Sequence, residues 1–268
     1  MTGIRPTGSE STPLYGMARL HLGPAFVEAW SAAGMHLEEH GVGDVRWLRA
    51  HLNQPLIEHL SFRLGNQLFF IWVLVPGELS FDGGLRELFL NAAAAASAHP
   101  CVLRMRLASR GFEPVLPGWG LLDAVTGELV DPRALVTAEE IEMTDWELLD
   151  FGIQIVRDSL ESEGATEISW QSNLAVDPSV WFERGRGPEW VVVRAVRYPE
   201  REAPLPHNVD AMLEAYGFVS NLGHFASVAV AAEGENKERL LRGGALIVRF
   251  VGLEALGHRL ISPHPDSG

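Results

Sequence analysis

Apolar residues recur at helical spacing in two long stretches of the chain. In the first stretch they fall every three or four residues, at Phe26, Trp30, Ala33 and Leu37. Pro24 suits the first turn of such a helix, so we expect a helix over residues 24–40. The second stretch, residues 145–162, has apolar side chains around much of its circumference, which predicts a helix that is covered on more than one side.

Shorter apolar runs bounded by turn residues predict strands in the first half of the chain. Residues 56–64 and 67–75 flank Gly65-Asn66, a pair that suits a hairpin turn. The second run, QLFFIWVLV, is apolar on both faces, so we expect a strand that is buried from both sides. Further elements are predicted as a short helix at 45–52, a helix at 85–98, a strand at 101–107 and a hairpin turning at Thr126-Gly127.

The second half of the chain shows the element order helix, three strands, helix, two strands. Strands are expected at 166–170, 178–183, 189–198, 225–232 and 245–251, with a short helix at 210–216. In a capping box, a hydroxyl and a carboxylate bond the unpaired amides of a first helical turn. Two such boxes are predicted, at Thr137 with Glu140 and at Thr144 with Glu147. Together these patterns predict an α+β fold with mixed sheets.

Turn residues cluster over residues 114–137, which places the predicted domain boundary there. We assign residues 14–120 to an N-terminal α+β sub-domain and residues 121–262 to a C-terminal α/β sub-domain. The polar start at 1–13, rich in Gly, Ser, Thr and Pro, is expected to be disordered, and the tail at 263–268 is expected to be mobile. No repeat of fixed period is visible in the sequence.

Composition narrows the partners and the chemistry of the protein. The formal net charge of −14 disfavours non-specific binding to phosphate backbones and suits a basic protein partner or a small ligand. Because Cys101 is the only cysteine, intrachain disulfides and multi-cysteine metal sites are excluded. We see neither a leader nor an apolar run near the ~20 residues of a membrane helix, so we expect a bacterial cytoplasmic protein with no membrane partner.

A carboxylate and a cation border two predicted strands in the second half. Asp177 opens the first of these strands, and Arg194 lies within the second. This layout, behind the helix at 145–162, resembles that of the PD-(D/E)XK nuclease superfamily over residues 137–251. The resemblance implies a restriction-endonuclease-like half in which Asp177 and Glu189 hold Mg²⁺ or Mn²⁺ and Arg194 clamps the phosphate. A carboxylate of the preceding helix, Glu147 or Asp150, would complete that site.

The second of these strands, the third in this half, departs from the superfamily pattern. An acid, one further residue and a lysine are expected there, but Val192 and Arg194 occupy the two key positions. Valine cannot bind a metal, and arginine stays protonated, which makes it a poor general base. The alternative is an ordinary pair of strands joined by a turn at 184–187, in which Arg194 pairs with an acid at the strand edge.

A second candidate site is the segment His36-Leu-Glu-Glu-His40, which matches the H-x-x-E-H zinc signature of pitrilysin-like peptidases. Two histidines four residues apart lie on one helix face and can share a zinc ion, with Glu39 as the base. Glu113 stands at a suitable distance in sequence for a third ligand, but in a turn. Under the alternative, the segment is a plain helix end, where the carbonyl-rich terminus favours histidine.

We therefore expect a non-catalytic bacterial cytosolic protein that binds a protein partner through an acidic α+β scaffold and needs no cofactor. A basic partner would suit its charge. Two alternatives stay open. One is a metal-dependent nuclease with a migrated acidic residue, which would bind nucleic acid, and the other is a zinc hydrolase on His36 and His40. The sequence does not indicate an oligomeric state.

Overall fold

The computed structural model describes residues 23–49, 59–77 and 83–256. Within these residues the chain forms two mixed β-sheets, each with helices packed on both faces, which confirms the predicted α+β class. The start and the tail that we predicted to be disordered or mobile lie outside the described residues. No helix among those described combines the length and the hydropathy that crossing a membrane requires.

The first unit contains a seven-stranded sheet. Its elements are, in chain order, α1 (Pro24–Gly41), β1 (Val45–Arg49), β2 (Leu60–Leu64), β3 (Gln67–Leu74), α2 (Gly83–Ala95), β4 (His99–Ala108), β5 (Gly111–Pro114), β6 (Leu121–Asp123), β7 (Leu129–Val130) and α3 (Pro132–Leu135). The strand order is β1-β2-β3-β4-β6-β7, and β5 pairs with β4 outside this path. The predicted helices at 24–40 and 85–98 and the hairpin at Gly65-Asn66 are confirmed.

The second unit contains a six-stranded sheet. Its elements are α4 (Asp145–Ser162), β8 (Thr166–Trp170), β9 (Val180–Glu183), β10 (Pro188–Arg197), α5 (Val209–Tyr216), β11 (Gly223–Ala232), β12 (Leu246–Phe250) and β13 (Glu254–Ala255). The strand order is β12-β11-β10-β9-β8, and β13 pairs with β11. This half follows the predicted order of helix, three strands, helix and two strands.

Both units share one topology, although no repeat is visible in the sequence. In the first unit, β1, β2 and β3 form an antiparallel meander, α2 crosses to β4 parallel to β3, and β6 returns antiparallel to β4. In the second unit, β8, β9 and β10 form the meander, α5 crosses to β11 parallel to β10, and β12 returns antiparallel to β11. Since each meander is also preceded by a helix, α1 or α4, the chain repeats one arrangement of seven elements.

The short helix predicted at 45–52 is wrong. Residues 45–49 form the strand β1, and residues 50–52 lie outside the described part of the chain. Val45 and Trp47 pack against the core beneath α1, whereas Leu48 packs on the opposite face of the sheet. This alternation has the period of two that a strand requires, and pairing with β2 supplies the backbone hydrogen bonds.

The strand β3 separates two cores, as its apolar sequence predicts. Phe69 and Ile71 face α1, and the neighbouring Phe70 and Trp72 face α2. The same second core contains Trp146, from the first turn of α4. Helix α4 therefore contributes to both units, which confirms the prediction that it is covered on more than one side.

The strand β10 separates the two cores of the second unit in the same way. Val191 and Val193 face α4, whereas Trp190 and Val192 face α5. Gly152 lets α4 approach the sheet closely, because a Cβ at this position would lie 3.1 Å from the Cβ of Ala195. Along β10, residues that are separated by an odd number of positions project from opposite faces of the sheet.

The first unit extends past the predicted boundary at residue 120. Strands β6 and β7 complete its sheet, and they form the hairpin predicted around Thr126-Gly127. The capping box predicted at Thr137 with Glu140 is wrong, because no helix begins there. The Thr137 hydroxyl instead accepts a hydrogen bond from the side-chain amide of Asn66 at 2.8 Å. The boundary thus lies between α3 and α4 rather than before β6.

A buried ion pair joins the two units. The Arg242 guanidinium donates to both carboxylate oxygens of Glu147, with Nη2–Oε2 at 2.9 Å, and these side chains are only 2% and 5% exposed. Arg242 Nη2 also donates to the carbonyl of Ala96, at the end of α2, over 2.7 Å. Glu147 completes the predicted capping box with Thr144 at the start of α4. One cation therefore ties the first turn of α4 to the first unit.

Candidate functional site

A cavity of about 550 Å³ lies where the two units meet, and we call it the inter-unit cleft. Its first-unit wall is formed by Arg49, His59, Leu88, Asn91, Ala92 and Ala95. Its second-unit wall is formed by Trp146, Trp170, Gln171, Ser172, Asn173, Leu174 and Ala175. The cleft is thus built from the end of β1, the face of α2, the start of α4, and β8 with the loop that follows it.

Arg49 crosses the cleft and is held by both units. Its guanidinium carbon lies 4.1 Å from the ring centroid of Trp170 and 5.4 Å from that of Trp146. Its Nη2 donates to the buried Asp150 carboxylate at 2.9 Å and to the hydroxyl of Ser172. Cation–π and ion-pair contacts of this kind are strengthened by partial burial, and the Arg49 side chain is only 15% exposed. The cation therefore fixes the aromatic wall in place.

His59 forms the buried floor of the cleft on the first-unit side. Its ring stacks on Phe70, with centroids 4.1 Å apart, and meets Phe89 edge-on. Burial lowers the pKa of His59 well below its ordinary value, and the positive charge of Arg49 lowers that pKa further. The ring is therefore neutral at pH 7 and behaves as an aromatic surface.

The mouth of the cleft carries exposed apolar side chains on both sides. Leu88 is 49% exposed and Leu174 is 52% exposed. The loop that bears Leu174 is held by Gln171, whose side-chain amide donates to the carbonyl of Val176 at 2.7 Å. Asn173 also accepts a hydrogen bond from the amide of Ala175 within this loop. The exposed leucine is thus presented by an ordered loop.

The structure brings together two of the three candidate nuclease residues, Asp177 and Arg194, and leaves Glu189 apart. Arg194 makes a two-pronged ion pair with Asp177, at 2.9 and 2.7 Å, and Asp177 is 1% exposed. Glu189 lies five residues before Arg194 on β10 and projects from the other face of the sheet. The ion pair between Arg194 and Asp177 is the contact that the alternative interpretation expects.

Glu189 has partners of its own on the α4 face of the sheet. Its carboxylate lies 2.7 Å from Nε2 of His224 and 3.7 Å from Nη2 of Arg184. Burial lowers the pKa of His224, and the hydrogen bond to Glu189 opposes that shift. This arrangement is a local polar cluster beside the turn between β9 and β10.

The helix carboxylates that the nuclease resemblance suggested also have structural partners. Glu147 binds Arg242 and Asp150 binds Arg49, as described above. No group of three or more histidine, cysteine, aspartate or glutamate side chains in the described ranges has the geometry of a metal site. The resemblance to the nuclease superfamily itself stays a prediction.

His36 and His40 lie in the last two turns of α1, which ends at Gly41, as the plain helix-end interpretation predicts. Their ring centroids are 4.2 Å apart. His36 Nε2 donates to the carbonyl of Trp119 at 3.2 Å, and His40 Nδ1 donates to the carbonyl of His36 at 3.0 Å. Burial lowers the pKa of His36, and the neighbouring His40 lowers it further.

Glu113, the suggested third zinc ligand, is instead engaged with Arg106 at 2.7 Å. The two residues face each other on the paired strands β4 and β5. Each histidine already uses one ring nitrogen for a backbone carbonyl, and Glu113 is held by a cation. The contacts of the two histidines are typical of a helix end, and the contact of Glu113 is typical of a surface strand pair.

Most of the cleft could not be predicted from the sequence. Trp170 on β8 has two tryptophan neighbours on the next two strands, but these residues, Trp181 and Trp190, are fully buried in the core beneath α5. Arg49 was missed because its segment was predicted to be helical. In the structure Arg49 and Trp170 occupy equivalent positions, since each ends the first strand of its unit.

Comparison with known protein families gives a match over most of the second unit. The model of a family described as a domain of unknown function (DUF8840) matches residues 146–256. The matched stretch begins in the first turn of α4 and ends after β13, so it includes the second-unit wall of the cleft. No curated protein and no solved structure matches the chain significantly.

Proposed function

We propose that this is a non-catalytic cytoplasmic protein that binds a protein partner by seating an apolar side chain of that partner in the inter-unit cleft. The observation that carries the proposal is the cleft itself. Its volume of about 550 Å³ falls in the range of roughly 300–1,000 Å³ that is typical of binding cavities. Aromatic walls in a concave site favour burial of an apolar anchor.

The mouth of the cleft supports a protein segment as the occupant. Leu88 and Leu174 extend the apolar surface beyond the cavity, as expected for contact with a chain that continues past the anchor residue. Asn91 and Asn173 are exposed at the same mouth and can hydrogen-bond the backbone of such a segment. Basic residues flanking the anchor would be favoured by the net charge of −14.

The candidate catalytic side chains of the second unit have structural partners among the described residues, which is compatible with a binding role. The acids and cations that could carry chemistry in the second unit are engaged with one another, as Asp177 is with Arg194. Arg49 holds the cleft walls through Asp150 and Trp170, which is a positioning role. A rigid and pre-formed cavity lowers the ordering cost of binding.

The cleft is tested by comparing captured partners across matched variants. We expect the tagged wild-type protein to retain a discrete partner, and Leu174→Asp to lose it by at least about tenfold, because a charge would enter an apolar contact. The control is Leu129→Asp, on β7, since Leu129 is 72% exposed and lies outside the cleft. Equal retention by Leu174→Asp and the wild type would contradict the proposal.

A separate prediction is that the protein has no nuclease activity. We expect no cleavage of DNA or RNA by the wild type with Mg²⁺ or Mn²⁺, because Glu189 and Arg194 project from opposite faces of β10. Gel assays of the wild type and Asp177→Ala check this, with circular dichroism to show that both are folded. Cleavage by the wild type that is lost in Asp177→Ala would overturn the non-catalytic assignment.

A further inference from the structure

Three arginines line a second cavity, of about 520 Å³, at one end of the first sheet. They are Arg46 on β1, Arg63 on β2 and Arg133 on α3, and we call the cavity the arginine pocket. Its remaining lining is formed by Asp44, Leu64, Gly65 and Val136. This concentration of positive charge in one cavity contrasts with the net charge of −14 of the whole chain.

Two of these arginines oppose each other directly. Arg46 pairs with Arg63 in the antiparallel register of β1 and β2, so both side chains project from the same face of the sheet. Like charges in directly opposed positions destabilise a sheet. Within the described ranges neither side chain has a carboxylate within 4 Å, whereas Arg194 and Arg242 each have one.

The surroundings of Arg63 make its position opposite Arg46 still less favourable for a positive charge. Burial lowers the pKa of Arg63, and the charges of Arg242 and Arg46 act in the same direction. Glu147 opposes the shift, but its carboxylate is already bound by Arg242. The guanidinium of Arg63 therefore lacks both full hydration and a carboxylate of its own among the described residues.

The third arginine is held at the pocket by backbone carbonyls. Arg133 Nη2 donates to the carbonyl of His40 at 3.2 Å and to that of Gly41 at 3.3 Å, at the end of α1. These bonds orient the guanidinium without neutralising it. Asp44 is the one carboxylate in the pocket lining, so the lining carries a net positive charge.

We propose that the arginine pocket binds a tetrahedral oxyanion, a phosphate group. A doubly charged anion between Arg46 and Arg63 would convert a repulsive pair into two attractive contacts, and arginine donates to phosphate oxygens in a two-pronged geometry. Arg133 would supply a third cation from the rim. This site is separate from the inter-unit cleft, so the proposal does not depend on the proposed function.

The test compares thermal unfolding in phosphate with that in sodium chloride of equal ionic strength. We expect roughly 20 mM inorganic phosphate to raise the Tm of the wild type by about 2–4 °C, because a ligand that binds only the folded state stabilises it. Arg46→Gln and Arg63→Gln should each lose this rise. Asp44→Asn should enlarge it, since the opposing carboxylate is removed from the lining.

The matched control is Arg106→Gln. Arg106 is a cross-strand arginine of the same sheet that already pairs with Glu113 and lies outside the pocket, so this variant should keep the full phosphate effect. The proposal is overturned if phosphate does not stabilise the wild type beyond chloride. An equal rise in Arg46→Gln and Arg63→Gln, or an equal rise with acetate, would also overturn it.

Discussion

Replacing Arg242 with methionine will lower the free energy of unfolding by about 3–5 kcal/mol. The reason is that Glu147 would remain buried as an uncompensated charge at the joint between the two units. The carbonyl of Ala96, at the end of α2, would lose its donor as well. Equilibrium unfolding in denaturant measures the loss, and we expect the interface between the units to open first.

Two further variants separate the buried charge from other effects of the substitution. Arg249→Met removes an exposed arginine that lies 3.3 Å from Glu202, and it should cost at most about 1 kcal/mol. Adding Glu147→Gln to Arg242→Met removes the unpaired charge but keeps a side chain suited to the capping box, so the double variant should recover stability. A loss in Arg242→Met no larger than that in Arg249→Met would contradict the role of the ion pair.

Acidification will destabilise the protein through His59. Burial lowers the pKa of His59 in the folded state, so below about pH 6.5 the unfolded chain binds a proton that the folded chain does not. The stability that this residue contributes is therefore complete above about pH 6.5 and is lost as the pH falls. Between about pH 7.5 and pH 5, we expect His59 to account for at most about 2 kcal/mol, the limit that its unfolded-state pKa sets.

His59→Phe isolates this effect. The substitution removes the titrating group and keeps a ring that can stack on Phe70, and the neighbouring cleft leaves room for its larger size. Denaturant unfolding at the two pH values should show a smaller loss in His59→Phe than in the wild type. His207→Phe, at an exposed histidine, is the control and should behave like the wild type. Equal losses in all three proteins would show that His59 is not the responsible group.

Local signals predicted the second unit well. The capping box of Thr144 with Glu147 marks the start of α4, because helix ends depend on neighbouring residues. The apolar run of β10 was recognisable because both faces of a central strand are buried. Arg194 was recognised as a cation needing an acid, and the structure supplies Asp177.

Non-local packing accounts for the errors. Five residues of β1 contain two arginines, so their strand character comes from pairing with β2 rather than from local preference. The inter-unit cleft joins residues far apart in sequence, such as Arg49 and Asp150, and no spacing rule links them. Likewise, the sequence did not reveal that the two units share a topology, because the shared arrangement is one of pairing and not of residue identity.

The most direct test of the central claim is photo-crosslinking from the mouth of the inter-unit cleft. A photoreactive amino acid at position 174 replaces an exposed leucine that lines the cleft, and the same substitution at Leu129 probes an exposed leucine outside it. We predict a discrete protein adduct from position 174 and none from position 129. The absence of an adduct at position 174, or equal adducts from both positions, would contradict partner binding in the cleft.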